Sequence, residues 1–419
     1  MVQVFLDCFR SLDHRETTQI AATQPRSPGV VSAPRPIECV HIDFRLSNSI
    51  EDIGRRRWSK LVLVLAYCVQ AALARFRHGA DILLYVPAPA LRHAIFRDWL
   101  VMLCCRPFFR RRVFWWHATG LGTWLKHQAN PLERWITRQL LGKPDLSLVL
   151  GAETANDARE LASRRIALVP NAIPDPCPQL APELVREKAA RRTAQREWLE
   201  GSLEQAHASQ TDGCRPPTFR LLFIGLCYRE KGLFDAVEAV ARVNRRLTDR
   251  HAGLHVQLEV AGRFFLEEEQ REFEERIRQP DLQRPDPSGR ATSGASIHAP
   301  AVRYHGFAAA DAKDRLFQES DCLLFPTYYA AESFGLVLIE AMAHGMDVIT
   351  TRWHNIPELF PAAYPGLVEP KDPAGLDAAL DYFLLRYEGD RLRRHYEQNF
   401  ALERFRSRIE NAVRELNSA

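Results

Sequence analysis

Nowhere in this 419-residue chain do two cysteines stand three positions apart, so the Cys-x-x-Cys signature of zinc and redox sites is missing. The nine cysteines are odd in number and spread from Cys8 to Cys322. That argues for reduced thiols in a cytoplasmic protein, against a disulfide framework. Asp-x-Asp is missing too, so closely spaced aspartates cannot hold a metal. No set of residues reads as a Ser/His/Asp triad. The first residues carry Asp7 and no long apolar core, so no signal peptide is read. The longest apolar run, Leu61 to Leu73, is interrupted by Gln70 and too short to span a bilayer. A formal net charge of only +4 gives no argument for binding nucleic acid.

What is present is the composition of a folded protein, 46% hydrophobic and 26% charged, with length enough for two domains. Met1 to Phe9 could form a strand, and the polar, proline-containing stretch to Pro36 reads as loop. From Ile37 the pattern alternates. Strands are expected at Ile37–Phe44, Asp81–Val86, Arg112–Trp116, Leu146–Leu150 and Ile166–Val169. Helices are expected at Ser59–Phe76, read as buried, at Ile95–Cys105, from Asn130 or Pro131, and at Glu153–Ala162. Such alternation predicts an α/β fold with a parallel sheet covered on both sides. Pro170 to Pro176 breaks the pattern. Residues 177–217 read as a charged helix with a polar tail, an insertion between domains. A second run begins at Thr218: strands at Phe219–Ile224, His255–Val260 and Val302–His305, and helices at Leu233–Leu247, Ala309–Glu319 and Ala374–Tyr387. A surface loop is expected over 279–299, and one basic helix at Arg391–Leu416.

The second half is organised around Ala331 to Gly345. Asp321–Pro326 before it and Asp347–Thr351 after it read as buried strands, so the segment is the loop and helix of a βαβ unit. Glu332 falls in the loop, Ser333 is a candidate N-cap, and Gly335 allows close backbone approach. With a helix starting near Ser333, Glu340 lies about two turns in. Both carboxylates would then project into the crevice where open α/β sheets bind ligands. A further strand–turn–helix, Phe223 to Gly232, has Gly225 at the turn and Lys231 before the helix. Backbone N–H groups and a lysine at a helix start suit a phosphate. In the first half, His117 follows a strand and precedes Gly120 and Gly122. Each glutamate or histidine taken singly also fits an ordinary solvated or packed side chain.

Together, Glu332, Gly335, the EAMAHG helix and Glu340 resemble the Glu-x7-Glu motif of the retaining nucleotide-sugar glycosyltransferases of family 4. Gly225, Lys231 and Gly232 match that family's Gly-Arg…Lys-Gly loop. Pro170-Asn171-Ala172-Ile173 resembles its inter-domain junction, and Asn355-Ile356-Pro357-Glu358 its Gly-Gly-Ile-Pro-Glu turn. Three positions depart: Leu226 stands for the usual arginine, Ala172 for a glycine and Asp347 for a proline. No Gly-rich turn opens the amino terminus. The resemblance implies the GT-B fold, two Rossmann-like domains facing an interdomain cleft. Residues 1–174 would bind the acceptor and 218–390 the nucleotide sugar, with 175–217 a linker and 391–419 a helix returning to the first domain.

By the same resemblance, the reaction moves a sugar from a nucleotide-diphosphate sugar to a glycan, lipid-linked or other acceptor, with retention and without a metal or other cofactor. Polysaccharide or glycolipid biosynthesis is the expected setting. Lys231, joined by Arg229, would stabilise the departing diphosphate beside Gly225. Glu340 would hold the ribose, and Glu332 with Ser333, Phe334, Gly335 and Leu336 would orient the sugar and phosphates. His117 would contact the sugar from the other domain. Gly262-Arg263 and His305-Gly306-Phe307 would lie near the base. Phe96, Trp99, Leu100, Leu103, Phe108 and Phe109 among Arg92, Arg97, Arg106 and Arg110–Arg112 suit either a membrane surface or a core helix; a cytoplasmic protein is expected, peripheral on the inner membrane face under the first of these readings. Two other readings stay open: a non-catalytic module of the same fold, and a phosphorylase or epimerase. A glycosidase couple of Glu332 and Glu340 would not need the phosphate loop.

Overall fold

A computed structural model describes residues 39–42, 58–178, 181–205, 217–284, 299–309 and 311–417. The strand expected at Met1–Phe9, the loop to Pro36, most of Ile37–Phe44, the tail at 206–216 and the centre of the 279–299 loop lie outside them. Residues 39–42 are described and form no strand. The chain divides into two units, Met1–Ala172 with Leu402–Ala419, and Ile173–Ala401.

The first unit runs α1 (Trp58–His78), β1 (Ile82–Tyr85), α2 (Arg92–Cys105), β2 (Arg111–Trp115), α3 (Leu121–His127), α4 (Pro131–Leu140), β3 (Leu146–Val149), α5 (Ala152–Glu160) and β4 (Ile166–Leu168). Its four strands are parallel, in the order β1-β2-β3-β4. Alternation along β2 sends Phe114 and Trp116 to one face, with α1–α5, and Val113 and Trp115 to the other. That second face is closed by the last helix of the chain, α13 (Leu402–Asn417), through Phe405, Ile409, Ala412 and Leu416. The single helix expected at 391–416 is two. The first, α12 (Gly389–Asn399), ends where Phe400 turns inward, with its ring 6.2 Å from that of Phe334.

The second unit contains α6 (Ala181–Gln205), β5 (Thr218–Leu226), α7 (Leu233–Asp249), β6 (His255–Arg263), α8 (Glu267–Ile277), the short antiparallel pair β7 (Gln283–Arg284) and β8 (Ala299–Pro300), β9 (Val302–Tyr304), α9 (Asp311–Glu319), β10 (Cys322–Phe325), α10 (Leu336–Ala343), β11 (Asp347–Thr351), β12 (Leu367–Val368), α11 (Pro373–Leu385) and α12. Its main sheet has the order β12-β11-β10-β5-β6-β9, and every pairing in it is parallel. Renumbered along the unit, this is 3-2-1-4-5-6, the doubly wound order. The winding reverses between β5 and β10, the switch point beyond whose strands' carboxyl ends such sheets bind ligands.

The segment expected as a linker holds α6, and α6 is part of the second unit. Its buried Lys188 ammonium donates to the carbonyls of Phe317 and Gln318, both at 2.9 Å, closing the carboxyl end of α9. Arg191 meets Asp321 at 2.6 Å, and Gln195 donates to Thr218 O at 2.8 Å. These contacts fasten α6 across the starts of β5 and β10, the end of the sheet opposite the crevice. Several charges of the segment read as a linker meet buried backbone and carboxylate partners.

Candidate active site

The sequence around β5 leaves little choice of backbone. Gly225 has φ 153°, and beside it a Cβ on Gly262 would lie 1.9 Å from Gly225 O. After one turn of 3-10 helix at Arg229–Lys231, Gly232 adopts φ 80° and starts α7. A Cβ there would lie 2.3 Å from Pro326 O. Glycine at 232 therefore lets the β5 loop touch the β10 loop, and Tyr328 N donates to Glu230 O at 2.8 Å to join them. The β10 loop is also tied to β11: Thr350 Oγ1 donates to Phe325 O at 2.8 Å, and Thr351 Oγ1 donates to Thr327 O. Farther on, Trp353 Nε1 donates to Tyr329 O at 2.9 Å and Asn355 Nδ2 to Ser333 O at 3.2 Å.

These loops bring Lys231 and Glu332 together. The lysine Nζ pairs directly with Glu332 Oε2, and each side chain is only 12% exposed. The ammonium also lies 4.7 Å from the centre of the Tyr329 ring and 5.6 Å from that of Phe325. Two residues assigned separate roles from sequence thus form one ion pair across the switch point, set among aromatic faces that favour a cation.

The rest of the motif differs in detail. The helix starts after Gly335, at φ 74°, and not at Ser333. Glu340 is accordingly about one turn into α10, and its Oε1 meets Lys313 Nζ of α9 at 2.5 Å. The two glutamates therefore hold two different lysines. Arg229, expected to share the phosphates, instead meets Glu272 at 2.5 Å and stacks 4.1 Å from the Phe234 ring centre. The depression beside it is lined by Phe265, Leu266, Glu267, Glu268, Glu269 and Glu272, an acidic surrounding that disfavours an anion. Leu226 is part-exposed at the end of β5. Farther along the strand ends, His305 Nε2 lies 2.6 Å from Glu259 Oε2, and Arg263 stacks 4.4 Å from the Phe307 ring centre.

In the first unit, His117 follows β2 as expected, and burial pushes its pKa down to about 4, which keeps the imidazole neutral near pH 7. The glycines after it have a different use. Gly120 N and Gly122 N donate to the two carboxylate oxygens of Asp157, at 2.8 and 2.7 Å, fixing the start of α3. A Cβ on Gly122 would lie 2.9 Å from Glu160 Cγ, so a larger residue there would make the Glu160 side chain shift. Asp157 has no sequence signal of its own; its role depends on α5 lying against α3. Trp99, read as a membrane candidate, is partly buried and donates to Thr137 Oγ1 at 3.0 Å. Among the described residues no cluster of three or more His, Cys, Asp or Glu is placed to hold a metal.

Residues 218–385, which build the switch-point site, match the family described as "Glycosyl transferases group 1". Solved structures similar to the chain include sucrose-phosphate synthase from Thermosynechococcus elongatus, at 17% identity and TM-score 0.56, over 87% of this chain and 81% of that one. A UDP-forming trehalose-phosphate synthase from Burkholderia xenovorans aligns at 14% identity and TM-score 0.56, over 88% and 82%. Anabaena HepE, solved with UDP-glucose, aligns at 14% identity and TM-score 0.55, over 87% and 84%. A search of curated proteins found no match. The chain therefore has the GT-B, Rossmann-like fold and is a glycosyltransferase whose second unit carries the group 1 domain.

Proposed function

We propose that the protein transfers a sugar from a nucleotide-diphosphate sugar, with retention at the anomeric carbon and without a metal, to a glycan or lipid-linked acceptor. The observation that carries this reading is the Lys231–Glu332 pair at the switch point of a 3-2-1-4-5-6 sheet. A diphosphate arriving there meets the Lys231 ammonium and the opening turn of α10, whose first N–H groups have no partner within the helix. As the bond from the anomeric carbon to the phosphate oxygen breaks, charge builds on the diphosphate, and Lys231 stabilises it. Glu332, already bound to the lysine, keeps it in place and offers its other oxygen to the sugar. Glu340 is the candidate for the ribose hydroxyls, in exchange for or alongside Lys313.

The structural relatives solved with UDP or named as UDP-forming make a uridine donor the first to try. Thermal-shift titration with UDP-, GDP- and ADP-sugars tests the reading, because a ligand at a hundred times its dissociation constant stabilises by about 2.7 kcal/mol. One sugar nucleotide should raise the melting temperature, and Lys231→Met should abolish the rise. No shift with any of them would favour a second reading, a non-catalytic member of the fold. That reading is supported by Leu226 in place of the expected arginine and by the commitment of Arg229 to Glu272.

A further inference from the structure

Helix α1 has two apolar faces. One is the expected core stripe: Val64, Cys68 and Ala71 are buried against the first unit's sheet and α2. The other, Val62, Leu65, Val69, Leu73 and Phe76, follows helical spacing about a third of a turn round, and points outward. Val62 is 67% exposed and Phe76 74%. The stripe continues onto its neighbours, since the rings of Phe76 and Phe108 meet edge to face at 6.0 Å and Leu103 of α2 is 62% exposed. The window Leu61–His78 is long and apolar enough to cross a membrane, but its inner face belongs to the core. The helix therefore lies on the unit's surface with its outer face uncovered by any described residue.

The surrounding charge has one sign. Between Leu61 and Leu132 stand nine lysines and arginines, and only two acids, Asp81 and Asp98. Asp98 is buried, accepting from Tyr85 and from the backbone of Ala88 at 2.7 Å each. Asp81 is shared by Arg75 at 3.0 Å and Arg110 at 3.7 Å, which leaves the α1–α2 edge positive. An apolar stripe without hydrogen-bonding groups, bordered by arginines, fits an acyl layer beneath anionic headgroups better than it fits a protein groove. We infer that the outer face of α1, with Leu103 and Phe108, docks the first unit on the surface of an anionic membrane. This inference does not depend on the transfer chemistry.

Flotation of the full-length protein with vesicles tests it. Protein should float with phosphatidylglycerol vesicles, and at least about tenfold less with phosphatidylcholine. Raising salt from about 0.1 M to about 1 M, which shortens screening from about 10 Å to about 3 Å, should weaken the binding. Arg77→Ser with Arg110→Ser should reduce partitioning by at least about tenfold, at roughly fivefold per basic residue. Val62→Asp with Val69→Asp should abolish it while circular dichroism and the melting temperature stay unchanged, since both side chains are exposed. Flotation untouched by that aspartate pair would overturn the inference, as would a wild-type protein that ignores both vesicles. So would a dimer in solution that Val69→Asp dissolves, which would assign the face to a second copy.

Discussion

Replacing Lys231 with methionine keeps most of the apolar stem and removes the ammonium from its place between Glu332 and the Tyr329 ring. Two quantities should then change together. The first is stability. Glu332 loses its cation while only 12% exposed, and a hydrogen bond to a charged group is worth about 1.5–3 kcal/mol. A loss of about 2 kcal/mol would lower the melting temperature of a unit this size by about 4–8 °C. Adding Glu332→Gln should restore part of it, so that the double variant is more stable than the sum of the singles by about 1–2 kcal/mol. The second is turnover. If Lys231 also meets the developing charge of the diphosphate, kcat/KM should fall by about a hundredfold or more, and here the double variant should show no recovery. Denaturant unfolding and steady-state kinetics on the four proteins separate the two effects. Near-normal turnover in a folded Lys231→Met would refute the phosphate role, and additive stabilities would refute the pairing itself. Arg229→Ala, whose partner is the half-exposed Glu272, should change kcat/KM by less than about threefold.

Glu340→Ala should weaken binding of the preferred nucleotide in calorimetric titration and leave the circular dichroism spectrum intact; unchanged affinity would remove the ribose role. Transfer should persist in excess EDTA, and a complete loss restored by magnesium or manganese would argue against the metal-free reading. Gly232→Ala should destabilise by at least about 1–2 kcal/mol from its left-handed backbone alone, before the contact with Pro326 O is counted, and the denaturant midpoint reports it. Burial pushes the Asp347 carboxyl up to about 7, so between about pH 4 and 7 the folded state holds a proton that the unfolded state has released. Its contribution to stability should therefore fall as pH rises through that window. Asp347→Asn should remove this part of the slope in urea midpoints measured from pH 4 to 8.

The doubly wound class, the strand ends of the second unit, and the places of Glu332 in a loop and Lys231 before a helix were legible along the chain. They depend on local chemistry: buried strands read as short apolar runs, and backbone close approaches require glycine whatever the rest of the fold does. Gly225 and Gly232 are examples, each in a backbone or contact that a side chain would strain. The amphipathic pattern of α7 was equally plain, because periodicity records which face is buried.

Other features needed the tertiary structure. The sequence places Lys231 a hundred residues before Glu332, and only the β5–β10 adjacency makes them partners. Arg229 looked available to phosphate until α8 placed Glu272 against it. The charged helix α6 read as an insertion between domains, since nothing local shows that carbonyls of α9 and Asp321 wait for its side chains. Apolar residues on α1 read as core on every side, because hydropathy records that a residue avoids water but not what shields it. Residue type and spacing thus determined the fold class and the candidate chemistry. Pairing between charges distant in the chain, and the division of an apolar helix into inner and outer faces, were decided by packing alone.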